Sequence, residues 1–224
     1  MGKGFNVKAK ANASAEIYIY EDVGSSWFGG VTAKDFAKEL KALGKVETID
    51  LRINSYGGDV FDGLAIYRQL VDHKAKVIAH IDGIAASIAS IIAMAGDEIE
   101  ISESGFLMIH NAWGIAIGTA DDMRATADIL EGTTASLRDV YVARTGGDAK
   151  DIKDWMDAET WFTGAEAVEH GFANRVAANM KVAARVVDLA KHKFRNAPEQ
   201  LLGTPNLDAA RERISALRQK LKAA

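Results

Sequence analysis

Residues 76–96 read KVIAHIDGIAASIASIIAMAG. The first seven, 76–82, mix β-branched, small and polar residues as a strand does. After Gly83 the residues are small or apolar and carry no charge. That pattern suits a buried helix starting at the glycine. A strand that hands over to a helix at a glycine-marked corner is the repeating unit of an α/β fold. The same reading puts Ser87 in the first turn of the helix, at the carboxyl end of the strand, among Gly83, Ala85 and Ala86. Ligands of open α/β sheets bind at that edge. The apolar run from Ile78 to Gly96 approaches the length of a membrane span. However, His80 and Asp82 lie near its start, acidic residues follow it, and no Lys or Arg flank anchors it. A buried strand and helix is the expectation, with no membrane association.

The alternation continues outward on both sides. AEIYIY (15–20) reads as a strand and GSSWFGG (24–30) as a loop. Thr32–Leu43 reads as a helix, with Thr32 as N-cap, Phe36, Leu40 and Leu43 at helical spacing, and Gly44 as the stop. VETIDLRIN (46–54) is a second strand, SYGGD a glycine-rich turn, and VFDGLAIYRQLVDH (60–73) a helix. EIEIS and GFLMIH read as short strands. This βαβα order predicts an α/β fold with a largely parallel sheet. Thr119–Thr145 is one long helical pattern, on the order of 35–40 Å at 1.5 Å per residue, with Gly132 weakening its middle. It is too long to lie over one small domain. It is either a bent surface helix or an arm that packs on another subunit. Thr163–Phe172 holds a short helix closed by Gly171.

The expected organisation is a flexible, mildly basic arm over 1–14 and a catalytic domain over 15–178. A helical segment and linker with both prolines, Pro198 and Pro205, follows over 179–206. An amphipathic helix over 207–224 carries Leu207, Ile214, Leu217 and Leu221 on one stripe. The chain has 224 residues, 48% hydrophobic and 26% charged, with a formal net charge of -4. There is no bulk positive charge for nucleic acid or a membrane surface. Cysteine is absent, which excludes disulfides, thiolate metal sites and a cysteine nucleophile, and fits a reducing compartment such as the cytoplasm. The first residues contain no continuous apolar segment of the signal-peptide kind.

A serine hydroxyl attacks a carbonyl only with a base, an orienter for that base, and N–H donors for the developing oxyanion. Ser87 is the candidate nucleophile, with Ser90 a competitor one turn deeper. His110 ends the apolar run FLMIH, again at a strand end. His73 stands at a helix end, His80 within a strand, His170 before a helix-closing glycine and His192 in the basic tail. No histidine pair has metal-ligand spacing, so no metal is expected. NSYGGD (54–59) places two glycines before a helix, where backbone N–H groups can meet an anion. It lacks the Lys-Ser/Thr of a P-loop and the G-x-G-x-x-G spacing. Taken singly, Ser87 also reads as a core serine, His110 as a half-buried histidine and NSYGGD as a plain turn.

Together, NSYGGDVFDGLAIYRQL, GIAASIASIIAMAG, FLMIHNAWG, the long helix ending in RTGG, and WFTGAEAVEHGFANRV resemble the Clp protease proteolytic subunit family of serine peptidases. The resemblance covers about residues 15–178. It implies the Clp protease/crotonase-like fold of repeated β-β-α units with a long protruding inter-ring helix. It makes Ser87 the nucleophile and His110 the general base, and Gly58 and Ile88 the oxyanion-hole N–H donors. The family's third member is an aspartate. Ungapped alignment on Thr145–Gly146 and Glu166–Ala167 puts Glu159 there, with Asp157 as the nearby alternative. Tyr56 replaces the proline usual in the glycine-rich turn. The amino-terminal arm does not resemble the family's axial gate, which leaves docking of an ATP-driven unfoldase open.

The resemblance further implies a polypeptide substrate, a homo-oligomeric ring (a heptamer or a double ring), and neither metal nor cofactor. The segments after 178 resemble those of Clp-like head maturation proteases of tailed phages and prophages. Those enzymes act on scaffold and capsid proteins in the host cytoplasm. Two other readings stand beside the serine endopeptidase. One is a ring-forming structural or scaffold-binding protein with an inactive triad. The other is a crotonase-type acyl-CoA enzyme on the same architecture.

Overall fold

The computed structural model describes residues 5–10, 13–25, 30–177, 194–198 and 201. By its contacts the chain divides into two units, residues 1–182 and 183–224. The expected terminal helix and almost all of the segment 179–206 lie outside the described residues.

The described elements begin with strands β1 (Phe5–Ala9) and β2 (Ser14–Ile19), helix α1 (Ala33–Ala42), β3 (Thr48–Ser55) and α2 (Val60–Val71). They continue with β4 (Lys76–Ala86), α3 (Ile88–Ala93), β5 (Glu98–Ser102) and β6 (Phe106–Ile109). The last are α4 (Ala120–Thr145), α5 (Ala149–Asp157), β7 (Thr160–Thr163), α6 (Gly164–Glu169) and β8 (Arg175–Ala177). The strands form one sheet of order β1-β2-β3-β4-β5-β8, and β6 pairs with the far end of β4 and with β7. Pairing is parallel except at β1–β2 and β6–β7. The mixed α/β architecture agrees with the one read from the sequence.

Three local expectations need correction. Phe5–Ala9 is not an arm but strand β1, antiparallel to β2. Its Phe5 and Val7 pack on the core, with Phe5 stacked on Phe36 at 6.0 Å between ring centres. The strand before Ser87 does not stop at Gly83. β4 runs through DGIAA to Ala86 because Ile84, Ala85 and Ala86 pair with Phe106, Leu107 and Met108 of β6. Ser87 is therefore the N-cap of α3 rather than a residue of its first turn. Helix α5 was not anticipated. Its Ile152 and Met156 are buried, and Asp148 caps it by accepting from the Lys150 N–H.

The sheet alternates as a half-buried sheet should. Ile49, Leu51 and Ile53 are fully buried on one face, with Phe36 of α1 and Ile66 and Leu70 of α2 in the same core. On the opposite face Arg52 holds Asp82 with both a guanidinium Nε at 2.8 Å and an Nη, and Tyr20 donates to the same carboxylate. Desolvation and the hydrogen bond to Asp82 push the Tyr20 hydroxyl above the usual phenol range. The His80 ring lies between Asp50 Oδ1 at 3.1 Å and Glu100 Oε2 at 3.0 Å.

Helix α4 has 26 residues, about 39 Å at 1.5 Å per residue. Only its Leu137 and Tyr141 are buried. A Thr119–Asp122 capping box starts it and Gly146, at φ 67°, ends it. Gly132 does not break it, since one helical glycine costs only about 1 kcal/mol against alanine.

Candidate active site

Three adjacent strands bring the candidate residues together. β4 ends at Ala86, paired with Met108, so Ser87 follows directly and donates its N–H to the Met108 carbonyl at 3.0 Å. β6 ends at Ile109, so His110 follows one residue further on. The side chains of the pair meet across this edge: His110 Nε2 lies 2.7 Å from Ser87 Oγ. An imidazole nitrogen at that distance can take the hydroxyl proton.

The third strand is β7, antiparallel to β6 with Thr160 opposite Ile109. Glu159 immediately precedes Thr160, and His110 immediately follows Ile109, so both leave the same end of this ladder. Glu159 is 3% exposed and has φ 51°, a left-handed turn out of α5 into β7. Trp161 Nε1 approaches its Oε1 at 3.5 Å. Asp157 sits in the last turn of α5 with its side chain 45% exposed. Asn111 Nδ2 donates to its Oδ1 at 2.8 Å, and Lys153 Nζ meets its Oδ2 at 2.5 Å. The Asn111 hydrogen bond, then that of Lys153, holds the Asp157 carboxyl below the usual carboxylate range.

Ser87 has φ 55° and ψ -131°. That is an unfavourable backbone for a residue with a side chain, and such strain concentrates at functional sites. Ile88, the first residue of α3, leaves its N–H without an acceptor inside the helix. The NSYGGD turn packs directly on this corner. A Cβ placed on Gly57 would come within 2.7 Å of Ser87 Cβ and 2.8 Å of the Ala86 carbonyl oxygen, and Gly57 has φ 97°. At Gly58 (φ 145°) a Cβ would collide with the Val23 carbonyl oxygen at 2.1 Å.

The turn is pinned from behind. Val23 N–H donates to the Gly57 carbonyl at 2.8 Å, and Asp59 N–H donates to the Val23 carbonyl at 2.9 Å. Buried Ser55 donates to the Glu21 carbonyl at 2.7 Å and accepts from the Gly57 N–H at 3.2 Å. Sequence reading singled out the paired glycines of NSYGGD but overlooked the support that Ser55 and Val23 give them. Those two act through pairing over a long loop and leave no local mark.

Ser87, Ile88, His110 and Gly58 line the floor of a cleft of about 510 Å³. Its walls include Phe61, Trp113, Ile115, Ile129, Leu130 and Leu137. Phe61, Ile115 and Ile129 are 66%, 77% and 60% exposed. The cleft is an apolar trough open to solvent, with a hydroxyl, an imidazole and a backbone turn at its base. The remaining described histidines do other work. His73 Nδ1 accepts from the Ala75 N–H at 3.1 Å, and His170 stacks on Trp155 at 4.7 Å between ring centres.

Such a site on such a sheet belongs to the serine-type peptidases. The Clp protease family model matches residues 4–180, and the chain belongs to that family. It is similar to ATP-dependent Clp protease proteolytic subunit 3 of Rhodococcus jostii, at 34% identity over 61% of this chain and 69% of that protein. Proteolytic subunit 1 of Protochlamydia amoebophila is 32% identical over 73% of this chain and 80% of its own. Proteolytic subunit 1 of Prochlorococcus marinus is 30% identical over 77% and 88%. Among the described residues no helix is long and apolar enough to cross a membrane.

Proposed function

We propose that this serine-type peptidase is an endopeptidase working through Ser87, His110 and Glu159. Ser87 Oγ attacks the peptide carbonyl while His110 Nε2 takes its proton. The N–H groups of Gly58 and Ile88 bind the oxyanion of the tetrahedral intermediate. His110 then returns the proton to the leaving amine, which leaves an acyl-enzyme on Ser87. Water attacks that ester with His110 again as base, releasing the acid and restoring the hydroxyl. Glu159, buried at the start of the strand that pairs with β6, orients the imidazole and balances its charge.

The observation that carries the reading is the 2.7 Å approach of His110 Nε2 to Ser87 Oγ at a strained strand end. Labelling with a fluorophosphonate probe tests it. One adduct on Ser87, lost in Ser87→Ala and in His110→Ala, is expected. Labelling elsewhere, or unchanged proteolysis in Ser87→Ala, overturns it.

The assembly we propose is a closed ring of identical subunits, with α4 packing against a second ring. Trp113, Ile115 and Ile117, at 53%, 77% and 95% exposure, are an apolar row that a neighbouring subunit would cover. Met123 and Ile129 of α4 are exposed apolar side chains as well. Native mass measurement tests it, and a monomer at micromolar concentration refutes it.

For the substrate we propose phage scaffold and capsid proteins. What supports this is the resemblance of the segments after residue 178 to those of Clp-like head maturation proteases. Digestion of a purified scaffold protein at defined bonds is the expected result. Turnover of small peptides with the scaffold left intact overturns it. The ATP dependence in the relatives' names is a property of those proteins. The steps at Ser87 consume no nucleotide.

A further inference from the structure

Behind the candidate nucleophile lies a pair of hydroxyls that the reaction above does not use. Ser90 is fully buried in α3, and Tyr141 of α4 is 1% exposed. Ser90 Oγ donates to the Ser87 carbonyl oxygen at 2.5 Å. The same Oγ lies 2.7 Å from the Tyr141 hydroxyl, from a residue 51 positions away. A serine has one hydroxyl proton, and that of Ser90 is committed to Ser87, so Tyr141 supplies the second. Burial pushes the Tyr141 hydroxyl above the usual phenol range, so it keeps the proton it donates. The order is Tyr141 O–H to Ser90 Oγ, then Ser90 O–H to the Ser87 carbonyl. The Ser90 N–H reaches that same carbonyl at 3.0 Å.

The consequence follows from peptide planarity. The Ser87 carbonyl and the Ile88 N–H belong to one rigid trans unit and point in opposite directions. Whatever fixes the carbonyl on the interior side fixes the N–H on the cleft side. Rotating this unit changes the ψ of Ser87 and the φ of Ile88 together, and Ser87 already lies outside the favoured regions. An isolated N–H on a strained corner would lose aim. Two hydrogen bonds on the opposite end of its peptide hold it.

We propose that Ser90 and Tyr141 are positioning residues for the oxyanion donor, clamping the Ser87–Ile88 peptide so that the Ile88 N–H faces the reacting carbonyl. The inference rests on the reading of Ile88 as an oxyanion donor. It adds that α4 contributes to transition-state binding through a hydroxyl bonded to Ser90.

Two variants test it in the full-length protein. Tyr141→Phe keeps the ring, which packs edge-on against Phe172 at 5.8 Å, and removes only the donor. Ser90→Ala removes the clamp itself. Loss of an oxyanion donor costs about 10²–10³ in kcat, so a donor that is present but poorly aimed should cost less. Expected are a fall in kcat of about 10–100-fold for Ser90→Ala and about 3–10-fold for Tyr141→Phe. KM should change less than twofold.

A peptide aldehyde supplies the readout that packing alone would not move. Its hemiacetal oxygen occupies the oxyanion position, so its affinity should fall by the same factor as kcat. The pH profile of kcat should keep its shape, because His110 is untouched. Should Ser90→Ala fail to fold, Tyr141→Phe decides alone. Variants within twofold of wild type in kcat and aldehyde affinity overturn the inference. So does a loss seen only in thermal stability. A wild type that turns over no peptide defeats the hydrolase reading and this inference with it. An active wild type with unaffected variants defeats this inference alone.

Discussion

Replacing Gly57 with alanine perturbs the site without touching any group that reacts. The new Cβ would lie 2.7 Å from Ser87 Cβ, where ordinary contact begins near 3.4 Å. The turn and Ser87 must therefore part by about 0.7 Å, on the scale at which misplacement costs on the order of 10²-fold in rate. Neither side can yield cheaply. Val23 and Ser55 hold the turn by hydrogen bonds to Gly57. Ser87 is held by its own N–H on Met108 and its carbonyl on Ser90. Alanine must also adopt φ 97°, a strain of about 1–3 kcal/mol, which for a chain of this size lowers Tm by roughly 2–12 °C. Peptidase assay and thermal melting should show a fall in kcat of about 30–300-fold in a protein that still folds. Activity within threefold of wild type would mean that the turn does not set the position of the nucleophile.

Glu159→Gln should lower kcat by about 10–10⁴-fold, the range spanned by orienting carboxylates and general bases, while Asp157→Asn stays within about threefold, since its exposed pairs are worth little. Steady-state kinetics on both decides which acid serves His110. Ile115→Glu combined with Ile117→Glu should shift native mass toward the single subunit, because it places two charges in the row proposed to be covered. An unchanged mass refutes that use of the row. Glu166 completes the cap of α6, and the Thr163 backbone N–H, then the Thr163 hydroxyl, hold its carboxyl below its ordinary value of 4.5. A depressed folded value means that the cap contributes fully above about pH 4.5 and is lost as pH falls through the lower, folded value. Melting curves of Glu166→Gln should therefore depend less steeply on pH below 4.5 than those of wild type.

The parts of this architecture legible in the sequence are those written in local patterns. β-branched and aromatic content marks strand β2, Thr32, Thr119 and Thr163 mark helix starts at which the caps form, and Gly44 follows the Leu43 cap that ends α1. The parts that were not legible depend on pairing at a distance. Gly83 reads as a stop, yet β4 continues past it because β6 offers a partner, and nothing in GIAAS announces β6. FNVKA is too short to read as a strand until β2 lies beside it. Helix α5 left a signal that went unread, Ile152, Trp155 and Met156 at helical spacing behind the Asp148 cap. At the site, Ser87 and His110 each mark a strand end and so stand out. Glu159 follows a helix by a left-handed turn, which its residue type does not signal.

Backbone strain shows why these residues need so much support. Among the described residues only Ala13, Ser87 and Glu159 adopt positive φ without being glycine. Two of the three stand at the ends of the neighbours of β6, Ser87 after β4 and Glu159 before β7. Such conformations persist only where surrounding contacts over-determine them, and here the contacts are specific. Ser87 is fixed by Met108, by Ser90 with Tyr141, and by the close approach of Gly57. Glu159 is fixed by its N–H on the Met156 carbonyl at 3.1 Å and by the start of the β6–β7 ladder. β6 is common to both sets, since it pairs with β4 on one side and β7 on the other. A short buried strand thus carries His110 between the strand end of Ser87 and the strand start of Glu159. Shifting its register by one residue would move His110 away from the Ser87 hydroxyl. A change within β6 that loosens its pairing should therefore cost activity out of proportion to its cost in stability.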